Sequence, residues 1–141
     1  MGGSILVITR ETDYALRILR SLLDGELHTV GSIAQEELLP QPFAYKIIKK
    51  LSKAGLIQIV RGTSGGCRLA ASLSQVTLYD LLQATGERSS LSACMEPGYQ
   101  CPWREGHGGC TPHRQLAAIQ HKLDQELRSH SLLEILTGQT V

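Results

Sequence analysis

Aromatic side chains are scarce in this 141-residue chain, at 4%, with one Trp, one Phe and four Tyr. Any core must therefore be built from aliphatic residues, which the 42% hydrophobic content allows. No apolar run approaches the length of a membrane span, so no membrane association is expected. The opening stretch, MGGSILVITRETDYALRILRSLL, lacks a charged segment followed by an apolar block and a small-residue cleavage site. That pattern predicts a cytoplasmic protein without a secretory signal. A phosphate-binding glycine loop, a nucleophile elbow and paired carboxylates are also missing, which leaves no basis for an enzyme.

The most informative absence is one of negative charge. Between Leu38 and Tyr79 there is no Asp or Glu, yet the interval carries Lys46, Lys49, Lys50, Lys53, Arg61 and Arg68. The net charge of +1 conceals this. A basic block inside a near-neutral chain is the electrostatic footprint of a polyanion site. The plainer alternative is a solvated face balanced by the acids on either side.

What is present is mostly helical. TRETDYALRILRSLLDG places Ala15, Ile18, Leu19, Leu22 and Leu23 at helical spacing and ends at Gly25. TVGSIAQEEL predicts a second, short helix starting near Thr29 or Ser32. In LPQPFAYKIIKKLSKAGLIQIV, Pro42 suits a helix start and Gly55 a helix end. Phe43, Ile47, Ile48, Leu51 and Ala54 form its apolar stripe. LIQIVR and CRLA read as two strands joined by the turn GTSGG. TLYDLLQATG is a capped helix with a Thr77–Asp80 capping box. HRQLAAIQHKLDQELRSH is a long amphipathic helix edged by Leu116, Ile119, Leu123 and Leu127, a stripe suited to core packing or to dimerisation. SLLEIL carries a second expected box, Ser131 with Glu134.

Two short helices, then a basic helix and a glycine-tipped hairpin, describe a winged helix-turn-helix. In that arrangement the N-terminal side chains of the second helix reach base edges in the major groove. Here those are Gln41, Tyr45, Lys46 and Lys49. Lys50 and Lys53 are placed for phosphates, and the wing offers Arg61, Thr63 and the backbone at Gly65.

Three of the four cysteines crowd into CMEPGYQCPWREGHGGCTPH, as Cys94, Cys101 and Cys110, together with His107 and His113. In a reducing compartment such thiols bind metal or sense redox state more often than they form structural disulfides. The residues leave three chemistries open: an iron–sulfur cluster, a Cys3His zinc site and a thiol switch. The wide spacing argues against zinc, whose structural sites use tight cysteine pairs. Trp103 could shield such a site or pack as an ordinary loop residue. Cys67, on the second strand, reads as a small buried hydrophobe. Tyr14 and Ala15 read as packing residues of the first helix, and His28, His121 and His130 as surface or interface residues.

The segments TRETDYALRIL, SIAQEELLPQPFAYKIIKKLSKAGLI, RGTSGGCRLA and SQVTLYDLLQATG, followed by the cysteine cluster, resemble in order the Rrf2 family of bacterial winged-helix regulators. The leading MGGSILV is an extension ahead of that resemblance. It implies a mainly α fold, a winged helix-turn-helix with a small hairpin wing and a long C-terminal dimerisation helix. Residues 8–86 would bind DNA, 87–113 would form a cluster-binding loop, and 114–141 would hold the dimer helix and tail. It further implies a homodimer on palindromic double-stranded DNA. Cys94, Cys101 and Cys110 would hold an iron–sulfur cluster, 2Fe-2S by preference and 4Fe-4S as the alternative. IscR-like members share the Cys-x2-His ending and point to His113 as fourth ligand. NsrR-like members point to Asp13, supplied by the partner subunit. The chain departs from the pattern in its C-x6-C-x8-C spacing and in carrying Cys67 where the family has Tyr. The expected function is a cluster-dependent transcription regulator sensing redox state, nitric oxide or iron. A zinc or thiol-switch regulator of the same fold is the first alternative. A small iron–sulfur carrier without DNA binding is the second.

Overall fold

A computed structural model describes residues 8–87 and 90–139, and the extension MGGSILV lies outside them. In chain order they form α1 (Arg10–Ser21), α2 (Val30–Glu37), α3 (Gln41–Lys53), β1 (Ile57–Val60), β2 (Gly66–Leu69) and α4 (Leu78–Ala84). A 3-10 turn (Ala93–Met95), α5 (Pro102–His107), α6 (Thr111–Arg128) and α7 (Leu132–Thr137) follow.

The first three helices pack on one another because each brings one apolar stripe. Ala15, Ile18, Leu19 and Leu22 of the α1 region are fully buried, as are Ile33 of α2 and Leu51 of α3. Burying each large aliphatic chain contributes about 1.5–3 kcal/mol. On α3 the buried face is Ala44, Ile47, Ile48 and Leu51, at helical spacing. Phe43 falls one position off that face. It is 52% exposed and meets Tyr14 edge-on, with ring centroids 6.3 Å apart, rather than joining the stripe. Arg20 forks onto the carboxylate of Glu37, its Nε donating at 2.9 Å, and fastens α1 to the end of α2. That guanidinium holds the Glu37 carboxyl below the usual carboxylate range.

β1 and β2 pair antiparallel, with Ile59 opposite Cys67. His28 adds a third rung through reciprocal backbone bonds with Cys67, at 2.9 and 2.8 Å. The glycines of the turn are required by close approach. A Cβ on Gly65 would lie 2.2 Å from the Val60 carbonyl oxygen, and one on Gly66 would lie 2.3 Å from that of His28.

The Thr77–Asp80 capping box is complete. At α7 only half of the expected box forms. The Ser131 hydroxyl accepts from the Glu134 N–H, but the Glu134 carboxylate turns to His130 Nδ1 at 3.3 Å. Leu132 is fully buried in the same core as α1 to α3, so the tail closes back on the helix-turn-helix unit. The segment read as a loop contains α5, because Pro102 opens a short helix and Gly108, at φ +70°, ends it.

His130 also meets Glu126, Nε2 to carboxylate at 2.7 Å. Glu126 first and Glu134 second raise its pKa above 6.5. A raised folded value means this clasp stabilises fully below the unfolded pKa of about 6.5 and is lost as pH rises through the folded one. Thermal melts between about pH 6 and pH 8.5 should show a small decline that His130→Gln removes. The site is open to water, so added salt should shrink it.

Candidate functional site

Charge on α3 and the hairpin divides cleanly into spent and unspent. Lys46, Lys49, Lys53 and Arg61 are exposed and make no ion pair among the described residues. Gln41, Tyr45 and Thr63 are exposed beside them. Tyr45, Arg61 and Gly65 line one shallow concavity with Thr29 and Val30, so the outer face of α3 and the wing form a continuous surface. Such a surface can take a polyanion without first breaking internal pairs.

Lys50 differs. Its ammonium is partly buried against the Glu11 carboxylate and lies 3.3 Å from the Thr85 carbonyl oxygen. Thr85 in turn belongs to a buried chain of hydroxyls. Thr12 Oγ1 donates to Glu87 Oε2 at 2.6 Å, since an ionised carboxylate only accepts. Thr12 Oγ1 also lies 2.8 Å from the Thr85 hydroxyl, whose one proton has the Leu81 and Leu82 carbonyl oxygens as further acceptors, each at 3.2 Å. The result is a run of contacts from the end of α4 through α1 to Glu87, at the entrance to the cysteine segment. No sequence motif marked Thr12, Thr85 or Glu87. The one available signal was two threonines in otherwise apolar helical faces.

The cysteine segment gathers its ligands by chain position. Cys94 lies in the 3-10 turn, with its Sγ 2.9 Å from Ser92 Oγ. Cys101 is the N-cap of α5 and Cys110 the N-cap of α6. All three are free and partly buried. Arg104 Nη1 donates to His113 Nε2 at 2.8 Å, while His113 Nδ1 is buried without a partner among the described residues. His107 is engaged elsewhere, stacked on Trp103 at 4.0 Å with Nδ1 on the Trp103 carbonyl oxygen at 2.6 Å. Trp103 is 56% exposed in that stack. Asp13 sits on α1 in an ion pair with Arg17 at 3.2 Å. Among the described residues no three His, Cys, Asp or Glu side chains converge closely enough for one metal ion. In donor type the segment fits an iron–sulfur group: three thiols outside any disulfide and the partly buried imidazole of His113. In position it fits only if the segment closes around that group.

Cys67 is 1% exposed, and burial pushes its thiol up to about 11. A thiol reagent on folded, reduced protein should label Cys94, Cys101 and Cys110 while Cys67 reacts only after denaturation. Equal labelling of all four would show that the wing strand opens readily.

A family model described as Rrf2, iron-dependent transcriptional regulator, matches residues 8–138. The chain is 36% identical over 137 residues to the Rhizobium meliloti protein aau3, covering 95% of this chain and 81% of that one. It is 35% identical over 98 residues to the HTH-type transcriptional regulator NsrR of Geobacillus kaustophilus, 67% of each chain. Among solved structures, T. potens IscR superposes with a TM-score of 0.65 at 20% identity, covering 100% of this chain and 94% of that one. CymR of B. subtilis, described as its global cysteine regulator, gives 0.65 at 22% identity, covering 96% and 100%.

Proposed function

The chain belongs to the Rrf2 family of transcriptional regulators, and from that premise we propose that it is a homodimeric repressor or activator whose grip on palindromic double-stranded DNA is set by an iron–sulfur cluster in residues 87–113. The observation that carries the DNA reading is the unspent charge of Lys46, Lys49, Lys53 and Arg61 on one surface. Gln41, Tyr45, Lys46 and Lys49 are the base-edge and groove contacts of that reading, with Thr63 and the Gly65 backbone at the wing. Lys50 belongs to it as the link between the recognition helix and Thr85.

α6 supports the dimer. Its 18 residues span about 27 Å, yet only Leu127 is buried, and Ile119 is 53% exposed. A second copy would cover that stripe and give the protein the two-fold symmetry of a palindrome.

When bound, the cluster would supply an iron centre that reacts with oxidants or nitric oxide. Cys94, Cys101, Cys110 and His113 hold it in this reading, with Asp13 of the partner subunit as the alternative fourth ligand. Drawing those thiols together moves α5 and the 3-10 turn toward the start of α6. The same segment begins at Glu87, whose carboxylate is bonded through Thr12 and Thr85 to the helix-turn-helix. Loop closure and recognition-helix position are thereby linked through a short run of contacts.

The three cysteines, all free and partly buried, also suit a second reading, a cluster-free regulator using thiol oxidation or zinc at the same residues. Anaerobic purification with visible absorption and iron, sulfide and zinc analysis separates the two. Stoichiometric iron and sulfide supports the cluster. A colourless protein with zinc or no metal ends that reading and leaves the regulator.

A further inference from the structure

Cys101 and Cys110 occupy equivalent places, each capping the N-terminus of a helix. Three residues after each cap stand Arg104 and His113, and these two side chains meet. A guanidinium only donates, so His113 Nε2 must be the acceptor. The proton of the neutral ring then lies on Nδ1, which is buried and has no partner among the described residues. Arg104 therefore occupies the one lone pair with which this imidazole could bind a metal. The same contact holds the two cysteine-capped helix starts together.

We propose that Arg104 is a gating residue for His113: its guanidinium occupies the ligating nitrogen in the cluster-free protein and is displaced when His113 completes the site. This rests on the reading that the cysteine segment holds an iron–sulfur cluster. Ligation by nitrogen needs a free ring lone pair, so Arg104 and iron exclude each other at Nε2. Using Nδ1 instead would move the ring proton to Nε2, which a donor cannot face. Either route breaks the Arg104–His113 bond. A charge-assisted hydrogen bond in the cluster-free state opposes cluster retention by about tenfold or more.

The first test is nitrogen-15 NMR of the histidines in the cluster-free homodimer. His113 should show an Nδ1–H ring with Nε2 as acceptor, and Arg104→Ala should shift that Nε2 signal. An Nε2–H ring overturns the proposal whatever the cluster does. The second is a chelator titration of the reconstituted full-length protein. Arg104→Ala should keep its cluster to about tenfold higher chelator, with Arg104→Lys between the two. That gain should vanish in a His113→Ala background, as a double-mutant cycle requires. A gain that persists there, or no gain in either background, overturns the gating role. Pulsed EPR of the reduced cluster should detect histidine nitrogen. A cluster without it removes His113 as ligand and the proposal with it, while the cluster reading stands. No iron or sulfide in any variant ends both.

Discussion

Reversing Lys46 and Lys49 together to Glu is expected to weaken binding to operator DNA by at least about a thousandfold without loss of fold. Both side chains are exposed and make no ion pair among the described residues, so no described internal contact is broken. Their neighbours Ile47 and Ile48 carry the packing of α3, at 1% and 2% exposure. Glu and Lys have similar helix propensity, so the helix itself persists. The milder pair Lys46→Gln and Lys49→Gln gives a sharper reading. It withdraws four positive charges from the groove contacts of a dimer, which should lower the salt slope together with the affinity. Fluorescence anisotropy at several salt concentrations measures both quantities. Unchanged affinity and slope would remove the DNA-binding reading of α3 and favour the carrier alternative. Lys50 should behave differently, because its charge is already shared with Glu11. Lys50→Gln should change the fold's stability more than the salt slope.

The helix order was legible because each stretch pairs an apolar period with its own stop signals. Gly55 and Gly86 stand just past the ends of α3 and α4 with positive φ, as the pattern requires. Where the reading slipped, tertiary contacts decided. Phe43 is apolar and invites a place on the stripe, but spacing puts Ala44, Ile47, Ile48 and Leu51 on the inner face. The half-formed box at Ser131 lost its second bond to His130, a residue outside the four-residue motif. α5 gives no periodic signal, because its six residues show no apolar period. Its Pro102 and Gly108 punctuation was nevertheless in plain view.

The site was legible in its residue types and less so in its connections. Composition showed the acid-free interval directly, and the structure leaves its charges free at Lys46, Lys49, Lys53 and Arg61. It did not show that Lys50 turns inward, since that depends on Glu11 lying 39 positions away. The cysteines announced themselves, but the Arg104 contact to His113 did not, since an arginine in a polar stretch carries no periodic signal. Thr12, Thr85 and Glu87 were invisible for a similar reason. A hydroxyl in a helix is ordinary until its partner, 73 positions away for Thr12 and Thr85, is known.

That buried line yields the second large effect. Thr12→Val keeps the shape of the side chain and deletes only its hydroxyl. The Glu87 carboxylate then loses its 2.6 Å donor and keeps the Thr9 N–H at 3.4 Å, while the Thr85 hydroxyl loses its partner on α1 and keeps the Leu81 and Leu82 carbonyl oxygens. Thr12 is fully buried and Thr85 is 2% exposed, so water does not readily replace the bonds. Losing a hydrogen bond to a charged group costs about 1.5–3 kcal/mol, which thermal or chemical denaturation should show. The larger consequence is functional. If the segment entered at Glu87 biases the recognition helix through Thr12, Thr85 and Lys50, the variant should still bind DNA and still take up its metal group. The ratio of DNA affinities with and without that group should fall to about one. Ile33→Val, a core change on α2 costing about 0.5–1.5 kcal/mol, is the control for destabilisation alone and should leave the ratio intact. A Thr12→Val protein that keeps the full ratio would show that the signal reaches α3 by another path, with α6 and its contacts to the 3-10 turn and α4 the next to test.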